Sequence, residues 1–306
     1  MNADIDEKTK HGNLLLGILC GLGVALVWSG WAVATRFAVT TSFAPHDVAF
    51  LRFVVPAFFL WPILLRNGMG LSRIGLPRMI VMIGGAGIPF MLLASTGMRY
   101  APASHVATLM IGVMPIFVAM LSALFFGERF GRTQRAGLVT VIAGIVCIGG
   151  YSLFVDRASG EWRGDLIFLC CGFMFASYTI AQRRSGISAW HATALVNVVS
   201  GILFAPVYFL VFQSNLATVP IKELAFQFVA QGIAVSILGM FLYAEAVRRL
   251  GAPRAAIFGS LVPALAALIA IPILGEIPSL VTIAGITMVM FGVTLVVTGG
   301  NRDLAA

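Results

Sequence analysis

Arg52, His105 and Glu245 place ionisable chemistry inside apolar stretches of this sequence. Arg52 stands within HDVAFLRFVVPAFFLW. A guanidinium there can anchor a substrate carboxylate, reach the nearer membrane interface, or tie helices through carbonyls. At the centre of a membrane helix such a charge costs about 2.5–3.5 kcal/mol on insertion scales, so it is expected to face the protein interior. His105 follows Ala103-Ser104 at the head of another apolar run. It can titrate near physiological pH and couple or gate protons, or it can be a hydrogen-bonded core histidine. Glu245 precedes Arg248 and Arg249. It can take a cationic group or a coupling proton, or it can pair locally at i, i+3 and i, i+4.

Other groups add recognition chemistry. Trp28, Trp31, Tyr178 and Tyr243 fall mid-run, where they form a stacking box for aromatic or cationic substrates or pack helices. Gln182, Asn197, Gln227 and Gln231 supply hydrogen-bonding amides. Asp47 follows His46 where a helix should start, a favourable place for a carboxylate. His46 and His191 stand at run starts on opposite membrane faces. Glu128 and Glu276 follow a glycine at equivalent places, which points to a structural task such as capping. No G-x-x-x-x-G-K loop, His-Glu-x-x-His pair or clustered acidic metal site occurs, so neither a cofactor nor a metal is expected. Cys20, Cys147, Cys170 and Cys171 lie in apolar runs without ligand spacing and read as packing residues.

These groups sit in a chain of 306 residues, 59% hydrophobic and 10% charged. A soluble domain carries about 25% charged residues. A cytosolic enzyme or a nucleic-acid binder is therefore excluded, and the net charge of +8 reads as topology. The chain reads as an all-α membrane protein. Ten apolar runs of membrane-spanning length follow: Leu14–Thr35, Asp47–Leu65, Met79–Met98, Ala103–Phe126, Thr133–Gly150, Gly164–Ala181, Ala189–Phe212, Leu224–Val247, Pro253–Leu274 and Leu280–Thr298. They lack the period-two alternation of barrel strands. The first run has a counterpart later in the chain, so it reads as a span and not as a cleaved signal. With the N-terminus inside, 14 of the 20 Lys and Arg fall inside, while Arg36, Arg99, Arg157, Arg163 and Lys222 fall outside. Both termini are thus expected to be cytoplasmic.

The chain also repeats itself. A shift of 148 residues brings Pro115 onto Pro263, Gly127-Glu128 onto Gly275-Glu276, Gly137 onto Gly285 and Gly144 onto Gly292 without a gap. A shift of 147 puts Trp28 on Phe175 and Trp31 on Tyr178. A shift of 145 puts His46 on His191 and Arg52 on Asn197. Each unit, residues 12–150 and 163–299, holds five spans. An odd number inverts the second copy relative to the first, an architecture of secondary transporters. Pro115 and Pro263 are the expected hinge or gating positions, and Gly17-x-x-x-Gly21 allows a close helix contact.

With Leu26-Val27-Trp28-Ser29, Phe50-Leu51-Arg52-Phe53 and the duplicated Pro…Gly-Glu stretch, the chain resembles the drug/metabolite transporter superfamily in its ten-span EamA-type branch. The second copy has Ile277 where the first has Arg129. The resemblance implies two inverted five-helix repeats around a central cavity, with the fifth and tenth spans peripheral. It further implies a plasma-membrane (bacterial inner-membrane) carrier working by alternating access and exporting a small molecule, with amino acids first; both repeats in one chain point to a monomer, and Glu245 or His105 makes protons a coupling candidate. A membrane-embedded enzyme acting on a lipid-like substrate is the alternative.

Overall fold

A chain this apolar satisfies its backbone polar groups inside helices, because lipid offers no partner. The computed structural model describes residues 2–127, 130–214, 216–250 and 252–302, with side chains from Leu14 to Gly299 except at 252–254 and 256; the described residues contain no strand. Glu128 and Arg129 lie outside the described residues.

Ten described helices are long and apolar enough to cross a membrane: α1 (Leu14–Thr41), α2 (Pro45–Asn67), α3 (Leu76–Gly97), α4 (Ala103–Phe126), α5 (Arg132–Phe154), α6 (Glu161–Ser185), α7 (Ala189–Val211), α8 (Ile221–Leu250), α9 (Ile257–Leu274) and α10 (Leu280–Gly299). They follow the ten apolar runs in order. α1 outlasts its run because the Thr40 and Thr41 hydroxyls bond back to the carbonyls of Arg36 and Phe37. Phe154, Leu210 and Leu280 remain more than four-fifths exposed, which suits lipid and not water.

α4 and α9 break at matching places. α4 makes one α-turn, Ala103–Val106, widens into a π-helix over Ala107–Gly112, and restarts at Met114 with Pro115 in its first turn. α9 turns at Ser260 and Leu261 and restarts at Val262, again with proline, Pro263, in its first turn. A proline lacks the N–H and crowds the preceding turn. Both segments end on a left-handed glycine, Gly127 at φ 68° and Gly275 at φ 69°, where a side chain would be strained.

Helices at equivalent places in the two halves pack antiparallel. On α5 and α10 a Cβ added to Gly137 would lie 2.6 Å from the carbonyl oxygen of Gly292, and one on Gly292 2.7 Å from that of Gly137. Gly144 meets Gly285 one heptad further along. On α2 and α7 the His46 Nε2 donates to the Gln213 carbonyl at 3.0 Å, while His191 Nε2 donates to that of Gly68 at 2.9 Å. Gln213 and Gly68 are themselves counterparts. On α4 and α9 Gly112 approaches Pro263, and Ala103 clusters with Ala270. Elsewhere α1 packs on α8 and α9 as α6 packs on α3 and α4. Exchanging the halves leaves this pattern unchanged.

Candidate functional site

Seven helices leave a cavity of about 190 Å³ between them. One water needs only about 10–15 Å³ on that measure, so the space suits a small organic molecule. α1, α2, α3, α4, α6, α7 and α8 contribute lining residues; the described parts of α5, α9 and α10 do not. Repeat counterparts face the same space: Trp28 with Phe175, Trp31 with Tyr178, and Arg52 with Asn197. One end, at Trp31, Phe90 and Met91, is buried; the other, at Trp28, Met114, Tyr178 and Met240, is half-buried.

Arg52 reaches the cavity because it lies on the face of α2 that meets α8. A guanidinium N–H donates to Ser236 Oγ, and the Phe53 ring centroid is 5.7 Å away. Ser236 is presented by a π-helical stretch of α8, Phe228–Leu238, and donates in turn to the Gln231 carbonyl at 3.1 Å. Among the described residues no carboxylate is within ion-pair distance of Arg52. Asn197 spends its amide N–H on the Thr193 carbonyl at 2.8 Å, and its Oδ1 is buried without a partner. The indole N–H of Trp31 is buried and unpartnered as well. A buried polar atom left this way costs about 1–3 kcal/mol. The rest of the wall is mainly aromatic, thioether and aliphatic, with Phe175 5.6 Å from Phe90 and 5.2 Å from Tyr178 between ring centroids.

Several side chains read as site candidates lie elsewhere. Tyr243 stands 5.7 Å from Trp28, ring to ring, and lines a smaller adjoining cavity together with Pro115 and Pro263. Glu245 is outside the lining and pairs with Arg248 at 2.9 Å and Arg249 at 2.8 Å. Gln182 is half-buried one turn beyond Tyr178 and does not line the cavity. His105 is also outside it, buried against Asp165. Gln227 and Gln231 fasten α8 to α1, donating to the Ala34 carbonyl and Thr35 Oγ1. Glu276 takes Arg36 at 2.7 Å and the Ala103 N–H at 2.9 Å, so it joins α1 to the head of α4. Asp47 accepts from the Ala44 N–H and the Tyr208 hydroxyl, as a helix-start carboxylate should.

Sequence reading missed Ser236, Thr193, Phe90 and Asp165. The first three carry no distinctive signal in an all-apolar helix. Asp165, an acid inside the sixth apolar run, was a legible one.

The model of the EamA-like transporter family matches residues 15–150 and, a second time, residues 162–298. The chain belongs to the EamA-like transporter family. This transporter is a multi-pass membrane protein. A probable terminal-alkyne amino-acid exporter of Streptantibioticus cattleyicolor is 28% identical to it over 223 residues, 71% of this chain and 72% of that protein. The aromatic amino acid exporter YddG of Ancylobacter novellus is 26% identical over 199 residues, 61% of this chain and 68% of that one. A solved crystal structure shares the fold at a TM-score of 0.62 and 22% identity, covering 92% of this chain and 96% of its own.

Proposed function

We propose that this transporter exports a small carboxylate-bearing metabolite, an amino acid as first choice, across the bacterial inner membrane by alternating access. Arg52 is the observation that carries the reading. It is a cavity-lining guanidinium whose partners are a serine hydroxyl and a ring face, with no acid among the described residues to neutralise it. A substrate carboxylate completes it with charge-assisted bonds. Asn197 Oδ1 accepts from the ammonium, and the aromatic wall takes the side chain. Export as the direction, and amino acids as the class, draw on what the relatives are named for.

The duplicated, antiparallel packing supports two inverted repeats, residues 12–150 and 163–299, rocking about the broken α4 and α9 with Pro115 and Pro263 as hinges. The distribution of Lys and Arg supports cytoplasmic termini. Both repeats in one chain support a monomer. We read a carrier and not an enzyme, since the described cavity lining holds no histidine, cysteine or carboxylate to act as acid, base or nucleophile.

Counterflow in proteoliposomes tests this, with labelled amino acids, nucleosides and organic cations offered in turn. Uptake of amino acids into liposomes preloaded with the same compound is expected. Uptake of organic cations alone would overturn the carboxylate reading. Silence across the panel from folded, inserted protein would overturn the amino-acid reading.

A further inference from the structure

Outside the cavity, His105 and Asp165 form a buried pair joining four helices. His105 Nδ1 is 2.8 Å from Asp165 Oδ1, and both side chains are about 95% buried or more. A carboxylate only accepts, so Nδ1 carries the hydrogen. The other carboxylate oxygen accepts from Ser152 Oγ on α5. His105 is on α4, Asp165 on α6, and Thr282 on α10 approaches the other ring nitrogen. That nitrogen, Nε2, is 3.5 Å from Thr282 Oγ1, a long contact in which the hydroxyl donates to the neutral ring and can accept from the protonated one.

We propose that His105 Nε2 is a proton-binding site, coupled to transport and separate from the substrate cavity. One proton enters at Nε2 and leaves from the same nitrogen, and Nδ1–H stays on Asp165 throughout. The pair then alternates between a net charge of minus one and zero in a place without solvent, where a unit of charge is felt strongly.

The surroundings are set out so that this charge matters. Glu161 at the head of α6 feels the charges of His105, Asp165, Asp156 beyond α5 and Arg36 on α1, and Glu276 before α10 pairs with Arg36 and holds the head of α4; Arg163 stands two residues before Asp165 on α6. Described parts of α9 and α10 contribute no titratable side chain, and α5 contributes the hydroxyl of Ser152 beside Tyr151. The pair holds the first turn of α4, whose backbone Ala103 N–H is already held by Glu276, itself paired with Arg36 of α1. The same helix then passes through its π-helical stretch to Met110, Ile111 and Met114 at the cavity wall. Discharging or charging the pair therefore changes the grip on one end of a helix whose other part touches substrate.

The site has no counterpart in the other half. The residues equivalent to His105 and Asp165 are Pro253 and Ile18, neither of them titratable. A proton site on one side of a duplicated scaffold distinguishes the two sides of the membrane.

The inference rests on the transporter reading for its consequence, but not for its first test. Nitrogen-15 NMR of histidine-labelled wild type and His105→Gln, without substrate, reads the proton directly. The difference is expected to be one histidine resonance that passes from neutral to protonated at Nε2 as the pH is lowered. A His105 resonance that stays neutral at every pH at which the protein remains folded overturns the proposal, whatever the substrate proves to be. The second test uses proteoliposomes and labelled phenylalanine. An imposed pH gradient is expected to drive wild-type accumulation several-fold above equilibrium. His105→Gln and Asp165→Asn are expected to keep counterflow, which needs no gradient and shows that they are folded, and to lose at least tenfold of the driven accumulation. Driven accumulation that survives in either variant would overturn the coupling. Absent counterflow in wild type would instead count against the substrate reading and leave the NMR result decisive.

Discussion

Gly137 and Gly285 are counterparts in the two halves, and each packs against a glycine backbone across the α5–α10 contact. Arg52 and Asn197 are counterparts too, yet one is a cation and the other a neutral amide facing the same cavity. The pattern holds more widely. His46 and His191 make the same hydrogen bond to counterpart carbonyls, Gly127 and Gly275 the same left-handed stop, Pro115 and Pro263 the same restart. His105 and Asp165 face no such twins. The two halves agree at joints, where geometry is at stake, and differ at the cavity wall and at the buried His105–Asp165 pair. A rocking carrier needs equivalent joints so that its two facing states have similar energy. Its substrate, which has a distinct head and tail, needs no equivalent walls.

Breaking the chemical asymmetry should have the largest effect. Arg52→Ala removes a charge-assisted contact of about 1.5–3 kcal/mol, so transport of a carboxylate substrate should fall about 10- to 150-fold. Asn197→Ala removes a neutral one and should cost about 2- to 10-fold. Initial rates at matched protein density check both, and equal losses would deny the asymmetry. The joints should respond in matched pairs instead. Gly137→Leu forces a side chain onto the Gly292 and Val296 backbone and Gly285→Leu onto the Ile148 side chain and the Gly144 carbonyl, and each should lose about 1–3 kcal/mol of stability. Thermal unfolding in detergent reads this, and a gap between the two above about 1 kcal/mol would show that the α5–α10 contact is not equivalent on its two sides. The smallest matched effect is expected for His46→Ala and His191→Ala, about 1 kcal/mol each by the same assay. A loss confined to one of them would mark that histidine as more than a fastener.

The joints were legible in the sequence because they are local or repeated. Ten apolar runs define ten helices, and Pro115 with Gly127-Glu128 recurs in one register as Pro263 with Gly275-Glu276. Glu245 was legible as a local pair, since its partners lie three and four residues on. The cavity was legible in part. Trp28, Trp31, Arg52, Tyr178 and Asn197 line it, but Gln182 does not, because a helix that is apolar all round does not show which face turns inward. The π-helical stretch of α8 that presents Ser236 contains no proline and announces itself nowhere in the sequence. Asp165 finds His105 sixty residues away by helix packing alone.

The most direct measurement concerns the unpaired guanidinium. Counterflow of labelled phenylalanine by the wild type is competed with unlabelled phenylalanine and with phenylalaninamide, which keeps the ring and ammonium and lacks the carboxylate. With Arg52 as the carboxylate anchor, phenylalanine competes and the amide is at least tenfold weaker, and that preference disappears in whatever transport Arg52→Ala retains. An amide that competes as well as the acid, or a preference that survives in Arg52→Ala, would contradict it.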